Sequence, residues 1–336
     1  MNSHFLYTSD LSSSAFSGLV EAGLQGKSDS RHFGQPLAGK SVALVFFNAS
    51  LRTRTSMAVA VNSLGGFPVI LDVSGGVWNL EVEDGVTMLG DKPEHIKEAI
   101  PVISRYVDLI GVRCFPKMES YETDRTDPVL SEISKYSEVP VINLESAIHH
   151  PCQAVADMMT IREKLGEVKN KKILLTWAPH PKPLPQAVPN SFALAACQMG
   201  ADLVVASPEG FELDPSFMAS WRQIAIDNGG SLTQTNDQNL GLDGAEVVYA
   251  KSWGSISCWG NADKDKSLRS SLGDWMVSMA DMERTRKALF MHCLPVRRNV
   301  VVADEVLDSP YSCVVDQAEN RLHGQKAIIN HLMGDT

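Results

Sequence analysis

Apolar positions fall in two alternating rhythms along the chain. Short β-rich runs, "KSVALVFFN" (40–48), "FPVILDV" (67–73), "YVDLIGVRC" (106–114) and "VPVINLES" (139–146), predict strands. Between the first two, "MAVAVNSLGG" (57–66) reads as the body of a helix. "EHIKEAIPVISR" (94–105) has helical spacing, flawed by Pro101. A helix "QAVADMMTIREKLG" (153–166) opens a second series. It continues as strand 171–178, helix 191–200, strand 201–208, strands 245–253 and 287–295, and a last helix over 317–334. This β-α-β rhythm predicts α/β architecture with mostly parallel sheets, in two domains joined near residue 148. One stretch breaks the rhythm. "APHPKPLPQAVPN" (178–190) holds five prolines in thirteen residues, so it is expected outside helix and sheet interiors, as a stiff surface loop.

The length of 336 residues suits two core-bearing domains, and 44 % hydrophobic with 21 % charged residues is ordinary globular composition. A net charge of −10 argues against an extended nucleic-acid surface but leaves room for a local cationic pocket. The start "MNSHFLYTSD" has neither a basic n-region nor an apolar h-region, so no signal peptide is expected, and no apolar run reaches membrane-spanning length. The six cysteines are scattered and never form C-x-x-C, which points away from zinc and disulfides and toward reduced thiols in the cytoplasm.

Three strand ends carry candidate chemistry. "SLRTRTS" (50–56) opens a helix with two arginines, although a helix N-terminus already favours anions. On spacing alone two readings stand. Ser50, Thr53, Thr55, Arg52 and the free N–H groups cradle an anion, or a hydroxyl caps the helix and both arginines are solvated. "HPCQ" (150–153) places Pro151 at a first helical turn, with His150 and Gln153 at the carboxyl edge of the sheet; a simple cap is the alternative. "HCLPVRR" (292–298) ends a strand beside Arg297 and Arg298, with a buried thiol and a solvated basic pair as the alternative. No G-x-G-x-x-G follows a strand. "GKS" (26–28) has Glu21 where a P-loop needs glycine, with no strand before it. A non-catalytic small-anion-binding protein remains the competing class.

"SLRTR", "HPCQ" and "HCLP", in this order and separation, resemble the carbamoyl-phosphate motifs of the aspartate/ornithine transcarbamylases, and the likeness extends through "AENRLHGQKA". Ordinary ornithine transcarbamylases carry an aspartate and a Ser-Met-Gly stretch for the α-amino group of ornithine. Here "YAKSWGS" (249–255) stands in that place, and a lysine repels an ammonium. "KSWG" and "TWAPHPKPLPQAVPNS" are similar to the N-acyl-ornithine branch.

The resemblance implies a homotrimer of two Rossmann-like three-layer domains, needing no cofactor or metal. Residues 1–148, completed by a C-terminal helix at 317–336, would bind carbamoyl phosphate; residues 149–316 would bind the acyl-ornithine. The proline-rich loop would frame a knot. Ser50, Leu51, Arg52, Thr53 and Arg113 would hold the phosphate, with Trp78 supplied by a neighbouring subunit. His150, Gln153, the backbone of Cys293 and Leu294, and Arg321 would surround the carbamoyl group. His150, Arg113 and Arg52 would carry catalysis. Glu145, His180, Lys251 and Arg297 would hold the acylated ornithine. In "GDKPEHI" (90–96) the acetyl-specific type carries a glutamate where Pro93 stands, and a lysine where Val301 stands. Both departures favour N-succinyl-L-ornithine as substrate, giving N-succinyl-L-citrulline and phosphate in arginine biosynthesis, with N-acetyl-L-ornithine as the alternative.

Overall fold

A computed structural model describes residues 4–73 and 75–334. The expected domain ends at 1–3 and 335–336 lie outside the described residues.

In chain order the strands are β1 (Ser41–Phe46), β2 (Phe67–Asp72), β3 (Leu80–Glu81), β4 (Glu94–His95), β5 (Leu109–Arg113), β6 (Val141–Glu145), β7 (Lys172–Trp177), β8 (Asp202–Ala206), β9 (Ser231–Thr235), β10 (Val247–Lys251) and β11 (Leu289–Met291). They form two large parallel sheets, ordered β2-β1-β5-β6 and β11-β10-β7-β8-β9, and β3 pairs with β4 separately. Strand order reverses between β1 and β5 in the first sheet and between β7 and β10 in the second. Adjacent loops diverge there, leaving a crevice beyond the strand carboxyl ends.

The central strands are apolar at almost every position because both faces are covered. Val42, Leu44 and Phe46 enter one core; Ala43 and Val45 enter the opposite one. In β7, Ile173, Leu175 and Trp177 join that first core, whereas Leu174 faces away. The shared core is therefore the slab between the sheets. The helix Pro151–Leu165 runs through it, buried continuously from Pro151 to Ile161. The C-terminal helix Val314–Met333 packs on that helix and on the helices Ser13–Ser28 and Arg52–Ser63. The chain end is thus carried back to the first sheet.

Several expectations need correction. The strand expected over 287–295 is only Leu289–Met291. The helix expected from 191 begins at Ala187, so the proline-rich stretch is partly helical. Pro189 falls in the first turn, where an N–H has no intrahelical acceptor, so the ring costs no hydrogen bond. Pro101 is accommodated inside the helix Ile96–Ser104. The longer elements that the sequence reading lacked include the helices Ser13–Ser28, Pro128–Tyr136 and Pro215–Asp227, and β9. The "GKS" stretch ends the first of these helices and is no phosphate loop.

Candidate active site

The strand ends converge on one cavity of about 890 Å³. Ser50, Leu51, Arg52 and Thr53 come from the turn after β1, and Arg113 closes β5. Glu145 closes β6, followed by His150 and Gln153. His180 follows β7, Lys251 ends β10, Cys293 and Leu294 follow β11, and Arg321 comes from the C-terminal helix. Leu51, not a hydroxyl residue, occupies the N-cap of the helix Arg52–Ser63, and no side chain caps it. The hydroxyl-cap alternative fails, and the first-turn N–H groups stay open to an acceptor.

The two arginines of the motif divide. Arg54 pairs with Asp72 at 2.7 Å and lies over the Phe46 ring. Arg52 has no ion pair among the described residues; burial, and also the nearby Arg113, press its guanidinium below the ordinary value. Arg113 is buried, pairs with Glu145 and stacks on Phe115, 4.5 Å from the ring centre. A register shift between Val112 and Arg113 sets Arg113 opposite Glu145, a juxtaposition that regular pairing would miss. Arg321, fully enclosed, donates to Thr53 Oγ1 and to Gln153 Oε1, both at 2.7 Å. Five cationic side chains line the cavity against two carboxylates, Asp72 and Glu145, each of which already has an arginine. Arg52, Arg321 and Lys251 are left to face an anion in a chain of net charge −10.

His150 is buried, with Nδ1 unpartnered and Nε2 3.5 Å from Glu145. Burial first, then Arg321, Arg113 and Arg52, hold the ring far below its ordinary pKa, so it is a neutral imidazole. Lys251 is buried and donates to the Ser252 carbonyl at 2.7 Å; burial lowers its pKa, partly opposed by Cys293 and Glu145. Leu294 holds φ at +56°, rare for a non-glycine residue, and its N–H donates to His292 Nδ1 at 2.9 Å. His180 Nδ1–H donates to the Lys182 carbonyl at 2.9 Å, leaving Nε2 to accept from Arg297 at 3.1 Å.

Three expected residues lie outside the lining. Arg297 is exposed and reaches the cavity only through His180, while Arg298 turns away to Asp304 and Asp308. Trp78 is 60 % exposed and donates to Glu94 at 2.7 Å, and Pro93 is exposed on the same excursion. Conversely, sequence reading gave no place to Phe115, Leu184, Pro185 and Val188, which line the cavity with apolar surface. Phe115 lies only two residues beyond Arg113, but an aromatic there carries no signal until the guanidinium stacks on it. Among the described residues no cluster of histidine, cysteine, aspartate or glutamate is arranged to hold a metal, and no helix is long and apolar enough to cross a membrane.

Family comparison agrees with this geometry. Residues 3–163 match the aspartate/ornithine carbamoyltransferase carbamoyl-P binding domain, and residues 185–332 match the Asp/Orn binding domain of the same family. The chain belongs to the aspartate/ornithine carbamoyltransferase family. Within it, the chain falls in the N-acyl-ornithine branch and is a carbamoyltransferase. N-acetylornithine carbamoyltransferase of Xanthomonas campestris pv. campestris is 44 % identical over 336 residues, 99 % of this chain and 98 % of that protein. N-succinylornithine carbamoyltransferase of Bacteroides thetaiotaomicron is 42 % identical over 294 residues, 88 % of this chain and 87 % of that one. Acetylornithine transcarbamylase complexed with acetylcitrulline superposes with a TM-score of 0.96 at 43 % identity, covering 99 % of this chain and 100 % of that one. A glutamate-to-proline variant of N-acetyl-L-ornithine transcarbamylase, complexed with carbamyl phosphate and N-succinyl-L-norvaline, superposes with a TM-score of 0.95 at 44 % identity, covering 98 % of this chain and 99 % of that one.

Proposed function

We propose that this enzyme transfers the carbamoyl group of carbamoyl phosphate to the δ-amine of N-succinyl-L-ornithine. Residues 1–148 with the C-terminal helix form the carbamoyl-phosphate half, and 149–316 the acyl-ornithine half. The phosphate takes the open N–H groups of 50–53, with Arg52 and Arg113. His150, Gln153, Arg321 and the backbone at Cys293 and Leu294 surround the carbamoyl group. The amine forms the new C–N bond as the C–O bond to phosphate breaks, and phosphate finally carries the proton lost by the amine. Negative charge grows on the carbonyl oxygen and the departing phosphate, where donors already stand. A neutral His150 supplies an N–H without adding charge to a crowded cationic pocket.

Lys251 carries the choice of amine. A buried cation with no carboxylate ion pair among the described residues disfavours the α-ammonium of free ornithine and accepts an amide. Glu145, His180 and Arg297 complete that end. The acyl chain is assigned from Pro93. A glutamate there, reaching a neighbour's site, would repel a succinyl carboxylate by about 4 kcal/mol at 4 Å and an effective dielectric of about 20, before screening. The succinyl-norvaline complex of the glutamate-to-proline variant supports the reading. Val301, where the acetyl type has lysine, is enclosed rather than facing the cavity, so the weight rests on Pro93.

The reading includes a homotrimer in which the 75–93 excursion carries Trp78 and Pro93 into the next subunit. Supporting it, Phe67, Ile70, Val77, Trp78 and Tyr106 expose apolar surface along the β2 edge. It includes a knot at the proline-rich loop. Gly254 N–H donates to the Leu184 carbonyl at 2.9 Å, Gln186 donates back to the Gly254 carbonyl at 3.1 Å, and a Cβ at Gly254 would lie 3.2 Å from Pro183. An unknotted trace in a crystal structure would contradict that part.

Catalytic efficiency with the two acyl-ornithines, in the wild type and in Pro93→Glu, tests the acyl assignment. Succinyl preference in the first and acetyl preference in the second is expected. A wild type that prefers N-acetyl-L-ornithine would overturn it.

A further inference from the structure

Behind the cavity wall lies a polar hub. Asp157 stands one helical turn beyond Gln153 and is fully enclosed. Its Oδ1 accepts from Gln153 Nε2 at 2.8 Å and from Gln317 Nε2 at 2.7 Å. Gln317, also fully buried, sits one turn before Arg321 on the C-terminal helix. Its Oε1 accepts the backbone N–H of His292, next to Cys293, at 2.9 Å. Gln153 Oε1 accepts from Arg321 at 2.7 Å, and Arg321 continues to Thr53. The other carboxyl oxygen of Asp157 and the Tyr249 hydroxyl of β10 are both buried without a hydrogen bond of good geometry. Asp157 therefore joins three cavity walls that come from distant parts of the chain.

The chemistry of the groups makes this join directional. A primary amide has donor and acceptor ends of nearly equal shape, and a carboxylate oxygen only accepts. Two amino groups drawn to one Oδ1 leave both amide oxygens pointing the other way, toward Arg321 and toward the His292 N–H. Without that acceptor, a flipped Gln153 would set its amino group against the guanidinium. Burial lifts the carboxyl to about 7, against the pull of Gln153, Gln317, Tyr249 and Arg321. A proton on the unpartnered Oδ2 leaves Oδ1 free to accept, so both orientations survive in either charge state.

We propose that Asp157 is a positioning residue for carbamoyl transfer: its Oδ1 fixes the Gln153 and Gln317 amides, and through them the Arg321 guanidinium and the His292–Leu294 backbone. The inference rests on the carbamoyl-phosphate reading of the cavity.

The test is carbamoyl-phosphate affinity by calorimetry, together with turnover, on the intact protein. Asp157→Val is expected to weaken affinity about ten- to hundredfold, while Asp157→Asn, which keeps an acceptor oxygen, stays within about threefold. Asp157→Val is expected to weaken binding less in a Gln153→Ala background than in the wild type, because one of the two arms of Asp157 runs through Gln153. If Asp157→Val does not fold, Asp157→Ser replaces it, since its single hydroxyl cannot hold both amides. Wild-type affinity in that variant, or losses that multiply in the double variant, would overturn the proposal. A wild type that transfers no carbamoyl group would overturn the functional reading instead.

Discussion

The proposed phosphate cradle and the 75–93 excursion are opposite kinds of surface. In the cradle, Thr53, Arg113, Gln153 and Arg321 are buried and hydrogen-bonded to one another across four segments of one chain. On the excursion, Val77, Trp78, Val86, Met88 and Leu89 are exposed, and the polar contacts include pairs such as Lys92–Glu81 and Lys117–Glu83. The exposed Lys117–Glu83 pair is screened by solvent and contributes little. One region is held by its own chain. The other has apolar surface that its own chain does not cover. The proposed site draws two residues from each kind of surface: Arg52 and Arg113 are placed within the chain, whereas Trp78 and Pro93 would act against a neighbour in the proposed trimer.

The largest effect is expected in the cradle. Arg52→Ala and Arg113→Ala should each lower kcat/KM about a hundred- to a thousandfold in a folded protein, as loss of a preorganised donor does. Steady-state kinetics with circular dichroism checks this, and unchanged kinetics would end the anion-site reading of "SLRTRTS" and return Arg52 to the solvated alternative. Next, Lys251→Gln should lower efficiency with the acyl-ornithine about a hundredfold and narrow its advantage over free ornithine, seen in paired assays. On the excursion, Trp78→Ala should cost about tenfold. Mixing and reassociating the Arg52→Ala and Trp78→Ala chains should raise activity above that of either variant alone. Failure to complement would place Trp78 outside the neighbour's site. The smallest effect concerns pH. His150 stays neutral from pH 6 to 8, because its folded pKa lies far below 6.5. The rate should therefore show no acid break near 6.5 that disappears in His150→Gln.

The same contrast explains what was legible in the sequence. Strands buried on two faces betray themselves by continuous apolar runs, and the motifs at their carboxyl ends stand out by unusual residue order. SLRTR, HPCQ and HCLP were readable for that reason, and thirteen residues that the family resemblance implied line one cavity. The register shift that sets Arg113 opposite Glu145 leaves no mark in sequence, because it depends on pairing between separate strands. Asp157 was invisible too, since one aspartate in an apolar helix has no partner until the C-terminal helix is packed beside it. Pro189 misled because proline breaks a helix interior but fits its first turn. Arg297 and Arg298 looked like one basic pair, yet backbone direction sends them to His180 and to two aspartates.

The most direct measurement follows phosphate release and ureido-product formation with carbamoyl phosphate, offering N-succinyl-L-ornithine and free L-ornithine in parallel. Rapid turnover of the acylated amine, with free ornithine a poor substrate, is the expected result. Faster turnover of free ornithine would contradict the assignment of Lys251 and of the site built around it.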